Sequence, residues 1–159
     1  MYKVSITKSV YNNEIKINLF DNCEFEIEID KITSVVAPFK SGKTTLLKIL
    51  SGIEQADIKI ESISNAFFIT SEPMSLPWMT LRQSLQFANS KIDDVNIKEL
   101  SKVVGLEGYE DHLPNNKSLG FRFRIVLATA LSKNSKTILL DEPFIKMDQQ
   151  TKYEIYQLI

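Results

Sequence analysis

The sequence is poor in the residues that build covalent or metal-held frameworks. Its 159 residues include one cysteine, Cys23, and one histidine, His112. A single thiol cannot close an internal disulfide, so nothing in the chain points to an oxidising compartment. One Cys and one His also fall short of an ordinary structural zinc site. Long apolar runs are missing, and no segment approaches the roughly 20 residues needed to span a bilayer. The opening residues Met1-Tyr2-Lys3-Val4-Ser5-Ile6 lack the apolar core of a secretory leader. Glycine and proline number five each, too few for a low-complexity or disordered chain. Neither sign of charge dominates. The 19 basic and 20 acidic residues leave a net charge of −1, which excludes a generally basic nucleic-acid-binding surface. The composition, 43% hydrophobic and 25% charged, is that of one α/β domain in the cytoplasm.

The first third reads as strands. Cys23, Phe25, Ile27 and Ile29 alternate with Glu24, Glu26, Glu28 and Asp30, the period of a strand with one wet and one buried face. Ile15, Ile17 and Leu19 repeat it, and Asn12-Asn13 and Asp21-Asn22 supply turns. Residues 1–30 are therefore expected to form an antiparallel β layer, with Cys23 in its core. Ile32-Thr33-Ser34-Val35-Val36 is short, β-branched and nearly uncharged, as a strand buried on both faces is. Leu46–Leu50 has helical composition and stops at Gly52. Ala66–Ile69 and Thr137–Leu140 read as further short buried strands. Most of 80–132 is helical by period, with Phe121, Ile125, Ala128 and Leu131 on one face. Helix signals resume near Asp148. His112 reads as a surface loop residue.

Between the strand expected at 32–36 and the next helix lies Ala37-Pro38-Phe39-Lys40-Ser41-Gly42-Lys43-Thr44-Thr45. A turn in that position can aim successive N–H groups at phosphate oxygens, with the positive end of the following helix pointing at the same anion. Lys43 can reach the β- and γ-phosphates, and the Thr44 hydroxyl can ligate Mg²⁺. Ala37 and Lys40 stand where the common motif has glycine, so both add a side chain where the backbone must approach a ligand. At the end of the Thr137–Leu140 strand sit Asp141, Glu142 and Pro143. Ligands of open α/β sheets gather at the carboxyl ends of strands, which suits Asp141 to Mg²⁺ and Glu142 to polarising a water.

Together these motifs resemble the nucleotide-binding subunit of ATP-binding-cassette (ABC) transporters. Lys117-Ser118-Leu119-Gly120-Phe121-Arg122-Phe123-Arg124 is similar to the family signature. Ile145-Lys146-Met147-Asp148 resembles the D-loop, and Glu72-Pro73-Met74-Ser75-Leu76-Pro77-Trp78 resembles the Q-loop region of the nitrate, sulfonate and taurine importers. Tyr11 lies where the family stacks an aromatic on adenine.

The resemblance implies an α/β fold of the P-loop NTPase, ABC ATPase type over residues 1–159. Residues 1–74 and 126–159 would form the core with its N-terminal antiparallel β subdomain, and 75–125 a small helical subdomain. It implies ATP and Mg²⁺ as ligands and ATP hydrolysis that drives transport. Glu142 and Lys43 would be catalytic, and Thr44 and Asp141 would hold the metal. Nucleotide contacts would come from Tyr11, Pro38, Phe39, Lys40, Ser41, Gly42, Lys43, Thr44, Thr45, Ser118, Gly120 and Asp148. Arg122 and Arg124 read either as solvated helix residues or as part of a dimer contact. Trp78 reads either as a cap on the helical subdomain or as part of a groove for a permease helix. The expected partners are a second ATPase subunit, identical or related, and a transmembrane permease. Nucleic acid is not expected as a partner. The expected place is cytoplasmic, peripheral at the inner face of the membrane.

The chain also departs from the pattern. Ser71 replaces the Q-loop glutamine, and Lys117 and Leu119 replace signature residues. In the family a switch histidine lies on a strand after the D-loop helix, and the chain ends at Ile159 before it. These departures define the alternative, a degenerate or truncated member that binds nucleotide or a partner without efficient hydrolysis. They also lead to the expectation of slow turnover and self-association. A P-loop kinase is disfavoured by Asp141-Glu142-Pro143 and by the signature remnant.

Overall fold

The structure is a computed structural model that describes residues 2–12, 14–28, 30–57, 63, 65–115 and 117–159. It contains two compact units, Met1–Ala66 and Phe67–Ile159.

The first unit is built on a long hairpin. Strand β1, Tyr2–Asn12, pairs antiparallel with β2, Ile15–Ile27. Val4 faces Phe25 and Ile6 faces Cys23, with register shifts on either side of Lys8. Helix α1, Lys43–Leu50, buries Leu46, Ile49 and Leu50. The segment after it is laced to β1: Asp57 N donates to Thr7 O at 2.9 Å, and Ser9 N donates to the Asp57 carboxylate at 2.6 Å.

Three expectations fail in this unit. No turn separates strands at Asp21-Asn22: β2 runs through both residues, with Asn22 at φ +45° beside the register shift that keeps the ladder paired. Residues 32–36 form no strand and are exposed, Ile32 at 79% and Val36 at 92%. A β-branched run favours extended backbone, but a strand exists only where a neighbour completes its ladder. Among the described residues none does. Cys23 is exposed rather than in the core. Period two fixes which residues share a face, and Cys23 does share one with buried Ile6. It stands at the last pair before the register shift. Ile29, the end of the alternating run, lies outside the described residues.

In the second unit, β3 (Ala66–Ile69) pairs with β4 (Thr137–Leu140). Asp141 N donates to Ile69 O at 2.9 Å, so the two strands end side by side and run the same way. Between them come α2 (Leu81–Ala88), α3 (Asp94–Val103) and α4 (Leu119–Ser132), and α5 (Gln149–Tyr156) follows β4. Each helix start has a chemical cause. Thr80 and Gln83 form a reciprocal capping box, and Asp93, Ser118 and Asp148 each accept from the backbone N–H three residues on. The core gathers Leu81, Leu85, Ile97, Phe123, Ala128 and Ile155, all with no accessible surface. His112 lies in an exposed loop with its ring 5.0 Å from that of Tyr109. Among the described residues no helix is long and apolar enough to cross a membrane.

Candidate functional site

The candidate site residues fall in both units. In the first, the 37–45 segment is a tight loop opening α1. Ser41 N donates to Pro38 O at 3.3 Å, and Leu46 N to Gly42 O at 2.8 Å starts the helix. Gly42 caps α1 with φ +94°, a backbone shape that L side chains rarely adopt. A Cβ there would also meet Phe20 Cζ at 3.0 Å and Leu19 Cγ at 3.1 Å. The backbone shape favours glycine there, and any side chain would also have to displace Phe20 and Leu19. Lys40 adopts φ +63° with a full side chain, its ammonium 5.6 Å from the centre of the exposed Phe39 ring. Held left-handed backbone of this kind in a non-glycine residue concentrates at functional loops.

Lys43 bends back over the loop, its ammonium donating to Ala37 O at 3.2 Å and Pro38 O at 3.1 Å. Thr44 is exposed and Thr45 half-buried in the first turn of α1. The Ser41 hydroxyl is buried and has no hydrogen-bond partner among the described residues. Such an atom costs free energy unless something outside the chain satisfies it. Tyr11 belongs to β1, but its side chain lies outside the described residues.

In the second unit, Asp141 follows β4 directly and is half-buried, and Glu142 is exposed at φ +47°. The loop beyond them is fastened by aromatic packing. Phe144 lies 5.8 Å from Phe123 of α4 and 4.8 Å, edge-on, from Tyr156 of α5. Lys146 in this loop forms an ion pair with Glu72 after β3. Its hydrogen bond and charge hold the Glu72 carboxyl below the ordinary glutamate range.

Gly120 and Asp148 come together around one residue that sequence reasoning missed, Thr151. Asp148 Oδ1 accepts from Thr151 N at 2.9 Å, and Oδ2 accepts from Thr151 Oγ1 at 2.6 Å. These bonds hold the Asp148 carboxyl below the ordinary aspartate range, the Thr151 hydroxyl contributing most. The Thr151 methyl lies against Gly120, in the first turn of α4 capped by Ser118. The spacing Asp148-x-x-Thr151 is an N-cap signal that could have located this turn. Arg124 is no solvated residue. It donates to Val104 O and to Glu154 of α5, both at 2.8 Å. Arg122 is half-buried, with its Nε lacking a partner among the described residues. Trp78 is 70% exposed. Near it, a groove of about 410 Å³ is lined chiefly by Phe67, Met74, Leu76, Phe87 and Val126. Among the described residues no three or more His, Cys, Asp or Glu side chains cluster to hold a metal.

Comparison with known proteins agrees with this fold. The ABC transporter family pattern matches residues 20–145. The chain is 31% identical over 145 residues to an aliphatic sulfonates import ATP-binding protein, SsuB 1, of Pseudomonas savastanoi pv. phaseolicola, covering 89% of this chain and 61% of that protein. It is 27% identical over 167 residues to SsuB of Bacillus anthracis, covering 97% of this chain and 66% of that one. The match thus spans about three-fifths to two-thirds of these relatives' length. Among solved structures, the dimeric ATP-binding cassette MJ0796 bound to ADP and Pi superposes with a TM-score of 0.82 at 24% identity, over 99% of this chain and 81% of that one. The chain belongs to the ABC transporter family and has the P-loop NTPase fold of its ATP-binding cassettes.

Proposed function

We propose that this chain binds ATP with Mg²⁺ and serves as the energy-coupling ATPase of an ABC transporter. The observation that carries the reading is the 37–45 loop. Gly42 sits in a left-handed cap at the start of α1, Lys43 folds over the loop, and a buried Ser41 hydroxyl lacks a partner among the described residues. That orphaned donor, the helix start and the lysine are what a nucleotide phosphate would satisfy. Pro38, Phe39, Lys40, Thr44 and Thr45 complete the loop, and Tyr11 would stack on adenine. Calorimetry with Mg-ATP tests the reading, and binding that Lys43→Ala leaves unchanged would remove it.

The donors proposed for the metal, the Thr44 hydroxyl and the Asp141 carboxylate, are hard oxygens of the kind Mg²⁺ takes alongside waters and phosphates. When bound, Mg²⁺ neutralises phosphate charge. Glu142 would orient the attacking water and take its proton, and Lys43 would stabilise the charge on the γ-phosphate. Ser118, Gly120 and Asp148 would complete the site across a dimer of cassettes. The dimeric MJ0796 structure supports that arrangement.

The partner would be a transmembrane permease. The apolar groove lined by Met74, Leu76 and Phe87, with exposed Trp78 in the same loop region, suits an apolar helix end from such a partner. Residues 75–125 would act as the helical subdomain that carries it, on a core formed by 1–74 and 126–159. The chain would then sit at the cytoplasmic face of the membrane. The SsuB relatives are named for import of aliphatic sulfonates, and the same class of cargo is our proposal here.

A further inference from the structure

In the ATP-cassette reading, Gly120 belongs to a nucleotide contact, and a bare residue there needs no other explanation. The fold supplies another one. A Cβ built on Gly120 would run into Thr151 Cγ2 well inside van der Waals contact. Thr151 cannot easily turn that methyl aside, because its Oγ1 is held by Asp148 Oδ2 at 2.6 Å and its N–H by Oδ1 at 2.9 Å. A β-branched side chain with its hydroxyl fixed has one place left for its methyl. The contact therefore joins two helix starts, the Ser118-capped turn of α4 and the Asp148-capped turn of α5. One turn further along, the Arg124–Glu154 pair at 2.8 Å crosses between the same helices.

We propose that Thr151 is a positioning residue, and that Gly120 is bare in order to receive it. Through this contact the signature turn at 118–122 and the turn at 148–151 move as one body. The functional consequence rests on the ATP-cassette reading. Groups that would close on nucleotide from Ser118 and from Asp148 are set in register inside one chain before a partner arrives.

The test compares the 159-residue chain with Gly120→Ala, Thr151→Ser, the double variant and Thr151→Val. Three readouts are needed: melting midpoint, amide hydrogen exchange, and association in Mg-ATP followed by light scattering. Gly120→Ala overpacks the contact and is expected to lower the midpoint by about 3–8 °C. Thr151→Ser keeps the hydroxyl bond, deletes the methyl and is close to neutral alone. In the Gly120→Ala background it makes room for the new Cβ and restores both the midpoint and ATP-driven association. Thr151→Val is expected to speed exchange about tenfold at both 148–152 and 118–122. A double variant no more stable than Gly120→Ala, or faster exchange in Thr151→Val confined to 148–152, overturns the proposal. Recovery of the midpoint without recovery of association overturns the claim that Gly120 is bare in order to receive Thr151, because its missing side chain is then needed by the nucleotide as well. Failure of the wild-type chain to bind ATP overturns the nucleotide reading instead, and the stability and exchange results still decide the Gly120–Thr151 contact.

Discussion

The ammonium of Lys43 donates to the carbonyl oxygen of Pro38 across 3.1 Å, closing the loop from which its own helix starts. Two of its three donors are spent on the carbonyls of residues 37 and 38. A phosphate entering the loop would offer the same cation charged oxygens in place of neutral ones, a stronger bond. Lys43→Ala is expected to lose about 1.5–3 kcal/mol of ATP binding, roughly a 10- to 150-fold weaker Kd. Titration calorimetry reads this directly.

Glu142, the second residue beyond β4, pairs a carboxylate with a left-handed backbone at φ +47°. Glu142→Gln preserves shape and removes the base. Turnover of ATP is expected to fall about 100-fold or more while ATP affinity stays within about twofold. Phosphate-release kinetics beside a binding titration check it, and equal turnover in both proteins would take Glu142 out of the mechanism.

Lys40 holds φ +63° where glycine would be at ease. The left-handed region costs an L residue about 1–2 kcal/mol, and glycine's extra freedom in the unfolded chain gives back part of that. Lys40→Gly is expected to raise stability by about 0.5–1 kcal/mol. Urea unfolding measures it, and a lower midpoint would mean that the Lys40 side chain contributes more than its backbone costs.

Acid should loosen α5. Thr151 donates to both Asp148 oxygens and depresses the Asp148 pKa in the folded chain. The resulting stabilisation is complete above the ordinary aspartate value of about 3.9 and is lost as pH falls through the lower folded value. Asp111, depressed by its hydrogen bond from Arg82, and Glu72, depressed by Lys146, act in the same direction. Asp148→Ala is expected to be less stable at neutral pH and to show a shallower acid loss between about pH 5 and 2. Melting midpoints across that range test it, and parallel curves for the two proteins would contradict it.

Much of the fold was legible because local chemistry and pattern agree. The alternation over 23–30 predicts a strand of an antiparallel layer, and β2 forms over Ile15–Ile27. The apolar runs at 66–69 and 137–140 become β3 and β4 at those same residues. Asp148 ahead of α5 follows from capping rules. The candidate site is read from an order of motifs, a glycine-lysine loop ahead of a helix and an acidic strand end.

What the sequence determined by itself was the family, through the order of its motifs along the chain, and the type of most elements, which depends on residues within a few positions of one another. Tertiary structure decided the rest. Residues 32–36 have strand composition and no strand, because a ladder needs a neighbour that no local pattern supplies. Cys23 has core periodicity and an exposed thiol, because period two gives a face and only packing gives it cover. Arg124 reads in the sequence as a solvated cation or a dimer contact, and within the chain it bonds Val104 and Glu154. Gly120 reads as a ligand-facing glycine until Thr151, 31 residues later in the chain, is seen against it. Each of these depends on atoms distant in sequence meeting in space, and the packing of α5 on α4 is what brings the last of them together.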